Sequence, residues 1–66
     1  MIASWYSVTG QAVLQAPKVV FDDSLSLDEC VEQVASEYQL EVLIKKDRAQ
    51  WAYLGNKKQR MVISLK

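Results

Sequence analysis

The stretch from Leu25 to Tyr38 constrains this chain more than any other. Ser26 followed three residues later by Glu29 fits a capping box, in which each side chain satisfies the other residue's free backbone N–H. Leu25 and Cys30 stand where a hydrophobic staple would close over that cap. Leu27, Cys30, Val31, Val34, Ala35 and Tyr38 then recur at i, i+3, i+4, i+7, i+8 and i+11, one apolar stripe at the helical period. Asp28, Glu29, Glu32, Gln33, Ser36 and Glu37 take the other side, with acids in the first turn where the helix dipole favours them. The spacing predicts a helix over 27–38, apolar on one side only. Such a helix must lay its stripe on a sheet or on a second helix.

The rest of the chain supplies strands. Glu41-Val42-Leu43-Ile44-Lys45 is rich in β-branched residues and closes on the polar turn Lys46-Asp47-Arg48. A hairpin follows, in which Trp51 and Tyr53 alternate on one strand and Met61, Ile63 and Leu65 on the other. Matching these two sets face to face predicts a five-residue loop, Gly55 to Gln59, with Tyr53 opposite Met61 and Trp51 opposite Ile63. That register places Trp51 and Tyr53 in the core beneath the helix. Residues 2–9 read as a strand, with Gly10 either a turn or a bulge, and Pro17-Lys18 marks a turn before a short strand at Val19-Val20-Phe21. The expected architecture is one α+β domain over residues 1–66. Its elements run ββαβββ, with one amphipathic helix on a mostly antiparallel sheet.

With only 66 residues, such a domain has one small core. A single cysteine forms no internal disulfide, and the lack of histidine removes the usual Cys/His zinc site. Half the residues are apolar and Gly and Pro are scarce, which argues for a folded chain. Met1–Tyr6 carries neither a basic region nor an apolar run of signal-peptide type, and no stretch approaches the ~20 apolar residues of a membrane span. Together with the lone thiol, this sets the expectation of a cytoplasmic protein without membrane attachment.

The absence of histidine also removes the commonest general base and the Ser-His and Cys-His nucleophile pairs. Gly10 and Gly55 lie far apart, and Gly55-Asn56-Lys57-Lys58 lacks phosphate-loop spacing. Cys30 falls on the apolar stripe, where a thiol behaves as a small hydrophobe. Asp22, Asp23 and Asp28 lack the spacing of a calcium loop and read as a polar connection. No enzyme chemistry, cofactor or metal is expected.

Charge placement is more informative. The net charge is zero, yet Asp22 to Glu41 holds seven acids and no base, whereas Val42 to Lys66 holds seven bases and only Asp47 as an acid. Such separation either solubilises exposed surfaces or steers partners of opposite sign. Residues 1–17 contain no charged side chain, although charge is the usual guard of a free sheet edge. A strand there is therefore expected in mid-sheet, or covered by a second copy of the chain along a seam at Trp5 and Tyr6.

At the strand-to-helix junction, Val20-Phe21-Asp22-Asp23-Ser24-Leu25-Ser26-Leu27-Asp28-Glu29-Cys30-Val31-Glu32-Gln33-Val34 resembles the corresponding stretch of the phage-encoded uracil-DNA glycosylase inhibitors. Those proteins mimic DNA, with carboxylates standing in for phosphates and an apolar pocket capturing a side chain of the enzyme. The resemblance implies a phosphate-mimicking role for Asp22, Asp23 and Ser24, with Glu29, Glu32 and Glu37 as supporting charges.

Three functional expectations result. The first is a non-enzymatic protein-binding module, of the phage-inhibitor kind, that meets a basic protein surface through Asp22, Asp23, Ser24, Asp28, Glu29, Glu32 and Glu37. The second is a single-strand nucleic-acid binder using Lys45, Lys46, Arg48, Lys57, Lys58 and Arg60 with Trp51 and Tyr53; the predicted hairpin register argues against it by burying both aromatics. The third is a structural subunit that dimerises through the uncharged N-terminal strand.

Overall fold

The computed structural model describes residues 1–65; Lys66, counted above among the bases, lies outside them. Strand β1 (Ile2–Tyr6) is followed by helix α1 (Leu27–Tyr38) and then by β2 (Glu41–Lys46), β3 (Trp51–Gly55) and β4 (Arg60–Ser64). The four strands form one antiparallel sheet in the order β1-β4-β3-β2, with α1 packed on one face. The expected α+β fold, a helix on an antiparallel sheet, is what forms.

The helix begins and ends as its sequence dictates. Ser26 Oγ accepts the Glu29 N–H at 3.3 Å and Glu29 Oε1 accepts the Ser26 N–H at 3.0 Å, completing the capping box. At the other end Gln39 turns left-handed (φ 56°), and the Leu40 N–H returns to the Ala35 carbonyl at 3.1 Å. Leu27, Cys30, Val31 and Val34 are buried against Trp5, Leu54, Met61 and Ile63. Burial of this kind contributes about 1.5–3 kcal/mol per large aliphatic side chain.

Two stretches differ from expectation before the helix. The first strand stops at Tyr6, and the chain reverses over residues 7–11, with the Ser7 N–H bonding to the Gln11 carbonyl at 2.8 Å and Gly10 at φ 91°. Gly10 is thus a turn residue, in a conformation that glycine adopts without the penalty a side chain incurs. After the turn, Ala12 bridges Tyr6 and the Val13 N–H reaches the Trp5 carbonyl at 3.1 Å, so β1, an edge strand and not the mid-sheet strand expected, has its C-terminal end capped by the chain's own return. Residues 19–21 form no strand. Phe21 enters the core and Val19 packs half-buried against it, while Val20 stays 74% exposed and its carbonyl accepts from Gln33 Nε2 at 3.4 Å. In place of the expected strand, an irregular segment delivers one aromatic to the core.

The hairpin register is also displaced by one residue. Leu54 faces Met61 and Ala52 faces Ile63, all four fully buried, while Trp51 faces Ser64 and Tyr53 faces Val62. The connection is four residues, Asn56–Gln59, closed by the Asn56 N–H on the Gln59 carbonyl at 3.0 Å. A one-residue shift exchanges the faces of a strand. Trp51 and Tyr53 therefore lie on the side of the sheet away from the helix, not beneath it.

Candidate binding surfaces on the two sides of the sheet

The strand registers define the helix-free face as three rows. Tyr6, Arg60, Gly55 and Glu41 form one; Ser4, Val62, Tyr53 and Ile44 form the next; Ile2, Ser64, Trp51 and Lys46 form the third. Tyr6, Trp51, Tyr53 and Val62 are half-buried, and Ile2 and Ile44 are exposed. Among the described residues the only helix lies on the opposite face, so no secondary-structure element covers these side chains. The result is an apolar, aromatic surface centred on β3, with Lys46 at one corner, Glu41 at another and Arg60 within the row beside Gly55.

Arg60 is held in place by the turn. Its Nη1 donates to the carbonyls of Asn56 and Gln59, the latter at 2.9 Å. The guanidinium arm crosses Gly55, where a Cβ would come within 2.5 Å of Arg60 Cδ. Glycine at position 55 thus leaves room for the arginine on this face. Asn56 organises the same turn: its Oδ1 accepts the N–H groups of Lys58 at 2.8 Å and Gln59 at 2.9 Å, and its Nδ2 donates to the Gln39 carbonyl at 3.4 Å. Lys57 and Lys58 sit exposed at the tip. A hollow of about 430 Å³ lies beside Arg60, lined also by Glu41, Leu43, Gly55, Asn56 and Lys57.

The consecutive lysines of β2 take opposite faces of the sheet, and a bulge between Val42 and Ile44 decides which takes which. Lys46 pairs with Trp51 on the open face, whereas Lys45 pairs with Ala52 on the helix side and bonds to Asp28 and, at 3.3 Å, to Asp47. The Asp28 bond is the main reason the Lys45 ammonium holds its proton above the ordinary lysine value. Lys45 therefore leaves the predicted nucleic-acid set. Arg48 remains exposed in the turn joining β2 to β3.

The acidic residues divide into two groups. Asp22 Oδ1 accepts the Ser24 N–H at 2.9 Å and its hydroxyl at 2.7 Å, which lowers the Asp22 pKa and closes the turn into the helix. Glu29 serves the capping box and Asp28 serves Lys45. Asp23, Glu32 and Glu37 are exposed and make no ion pair among the described residues. Asp22, Ser24, Asp28 and Glu29 thus already have local partners, and Glu41 stands apart from the helix acids, on the open face of the sheet.

Trp5 does not line an outer seam. It is 7% exposed, donates from Nε1 to the Pro17 carbonyl at 2.9 Å, and meets Tyr38 edge-on with centroids 5.0 Å apart. Only Tyr6 of that pair reaches the open face. Cys30 is fully buried and its thiol is pushed up by burial, so it stays protonated. Among the described residues no group of three or more His, Cys, Asp or Glu side chains is placed to hold a metal ion, and no helix is long and apolar enough to cross a membrane.

What the sequence reading missed was the face of Trp51 and Tyr53. One signal was present. Asn56 is a residue type that bonds to the N–H two positions on and so favours starting a turn at 56. No family model, curated protein or solved structure matches the chain.

Proposed function

We propose that this chain is a non-enzymatic binding module that takes single-stranded nucleic acid on its open sheet face. The observation that carries the reading is Trp51 and Tyr53 side by side on β3, on the face the helix leaves uncovered, with Lys46 beside Trp51 on β2 and Arg60 in the row next to Tyr53. Bases stack on aromatic faces without regard to sequence, and neighbouring cations meet the backbone phosphates. Tyr6 extends the aromatic surface toward β1, and Arg48, Lys57 and Lys58 stand at the two ends of the hairpin. On the open face Lys46 and Arg60 outnumber Glu41, and Arg48, Lys57 and Lys58 at the hairpin ends add positive charge, so a polyanion approaching this face meets mainly bases.

A second reading keeps the helix side as the working surface. The exposed, unpaired Asp23, Glu32 and Glu37 favour a protein partner with a basic surface, and the likeness of residues 20–34 to the glycosylase inhibitors is consistent with a phage-type inhibitor that mimics DNA.

One titration separates the two. Oligo-dT and oligo-rU are added to the protein at two salt concentrations, with binding read by quenching of tryptophan emission and by anisotropy of a labelled strand. The expected result is binding that weakens steeply with salt. Trp51→Ala is expected to lower affinity by about 5- to 150-fold, the equivalent of ~1–3 kcal/mol per stacked base. A variant with Asp23, Glu32 and Glu37 changed to lysine should bind as well as or better than the parent. No binding at low salt removes the nucleic-acid reading.

A further inference from the structure

The sheet has two edges, and they are finished differently. The edge at β1 is capped at its Tyr6 end by residues 12–13 of the same chain, through the Tyr6–Ala12 bridge and the Val13-to-Trp5 hydrogen bond. The edge at β2 has no neighbour among the described strands, and every residue from Glu41 to Lys46 is exposed. Val42, Leu43 and Ile44, at its centre, are 45%, 47% and 44% exposed. An edge strand presents a row of unpaired N–H and C=O groups ready to pair with another chain.

The usual guards on such an edge are lysine and a bulge. Both occur here, and neither protects the centre. Lys45 is turned back to Asp28 and Asp47, and the bulge between Val42 and Ile44 leaves apolar Leu43 where a guarded edge would carry a charge.

We infer that β2 pairs antiparallel with β2 of a second copy of this chain, joining two four-stranded sheets into one of eight strands. The charge order along the strand selects this occupant. Glu41 opens it and Lys46 closes it, both on the open face, so an antiparallel self-pairing sets the acid of each copy toward Lys46 of the other, twice. A parallel pairing would set like against like. The two-fold axis of an antiparallel pairing is perpendicular to the sheet, so both helices fall on one side and both Trp51–Tyr53 surfaces on the other. The dimer does not depend on what the open face binds.

The test uses exposed charges, which leave the core untouched. Sedimentation equilibrium of the full chain at tens to hundreds of micromolar should give twice the 7.5 kDa monomer mass. Glu41→Lys alone and Lys46→Glu alone should each raise the dimer dissociation constant at least tenfold, because each sets like charges opposite one another. Mixing the two variants should restore association, since acid again faces base in both pairs. Far-ultraviolet circular dichroism of each variant verifies the fold. A wild-type monomer throughout this range overturns the inference. So does a dimer indifferent to both substitutions, which would place the contact elsewhere.

Discussion

The two faces of the sheet use the same four strands to different ends. Beneath the helix, Ala52, Leu54, Met61 and Ile63 are fully buried and in contact with one continuous core. On the open face, Trp51, Tyr53 and Val62 occupy the alternate positions of the same strands and are only half-buried. Both faces are apolar, and on β3, unlike β1 with its buried Trp5, the larger side chains lie on the side with less cover. A sheet stabilised solely for its own sake would place its biggest hydrophobes under the helix, where they bury the most area. The inversion teaches that the inner face holds the fold together while the outer face is available to a partner.

The largest expected effect breaks this comparison directly. Leu54→Ala should cost about 2–5 kcal/mol of stability, the range for a large-to-small change that leaves a cavity in a packed core. Trp51→Ala, on the same strand but the other face, should cost only ~1 kcal/mol through lost cross-strand contacts. Urea denaturation midpoints of the two variants check this. Equal losses would mean that the open face is core after all, and would undermine its assignment as a binding surface.

How far the sequence revealed this division depends on the element. The helix was legible to its ends, because a capping box and an unbroken stripe admit one reading. The sheet was legible as to its three C-terminal strands but not as to its faces. In β3 both alternating sets are apolar, so periodicity could not choose between Trp51/Tyr53 and Ala52/Leu54, and the choice of an odd-length loop sent the wrong pair to the core. The basic residues were legible as a group. That Lys46 takes the open face and Lys45 the Asp28 side depends on a bulge that no residue type announces. Residues 12–21 were least legible: their positions are set by Trp5 bonding to the Pro17 carbonyl and by Phe21 entering the core, both long-range events.

A middle-sized effect sharpens the comparison at its boundary. Asn56 connects the two faces, since its Oδ1 closes the basic turn on which Arg60 rests while its Nδ2 reaches the Gln39 carbonyl at the end of the helix. Asn56→Ala should lose about 1–2 kcal/mol, from two N–H groups left without their acceptor. Asn56→Asp keeps that acceptor but replaces the donor to the Tyr38 and Gln39 carbonyls with an oxygen that repels them, so it should recover only part of the loss. Midpoints from urea unfolding decide. If the aspartate variant is as unstable as the alanine one, the helix contact, not the turn, is what Asn56 supplies.

The smallest effect concerns the two consecutive lysines that take opposite faces. Lys45, bonded chiefly to Asp28, has a folded-state pKa above its ordinary value of 10.5. A raised pKa means that the folded state holds the proton more tightly than the unfolded one. The stabilisation from this pair is therefore complete below the ordinary lysine value and disappears as pH rises through the folded one. Lys45→Gln should lower the unfolding midpoint slightly near neutral pH, and the gap to the parent should close once the pH exceeds the raised value. Lys46→Gln, which removes a charge from the open face without a carboxylate bonded to it among the described residues, should show no such closing gap. Paired unfolding curves at neutral and strongly alkaline pH measure both. A gap for Lys45→Gln that persists unchanged at high pH would mean that its methylene stem against the sheet, and not its charge toward the helix, is what the inner face uses.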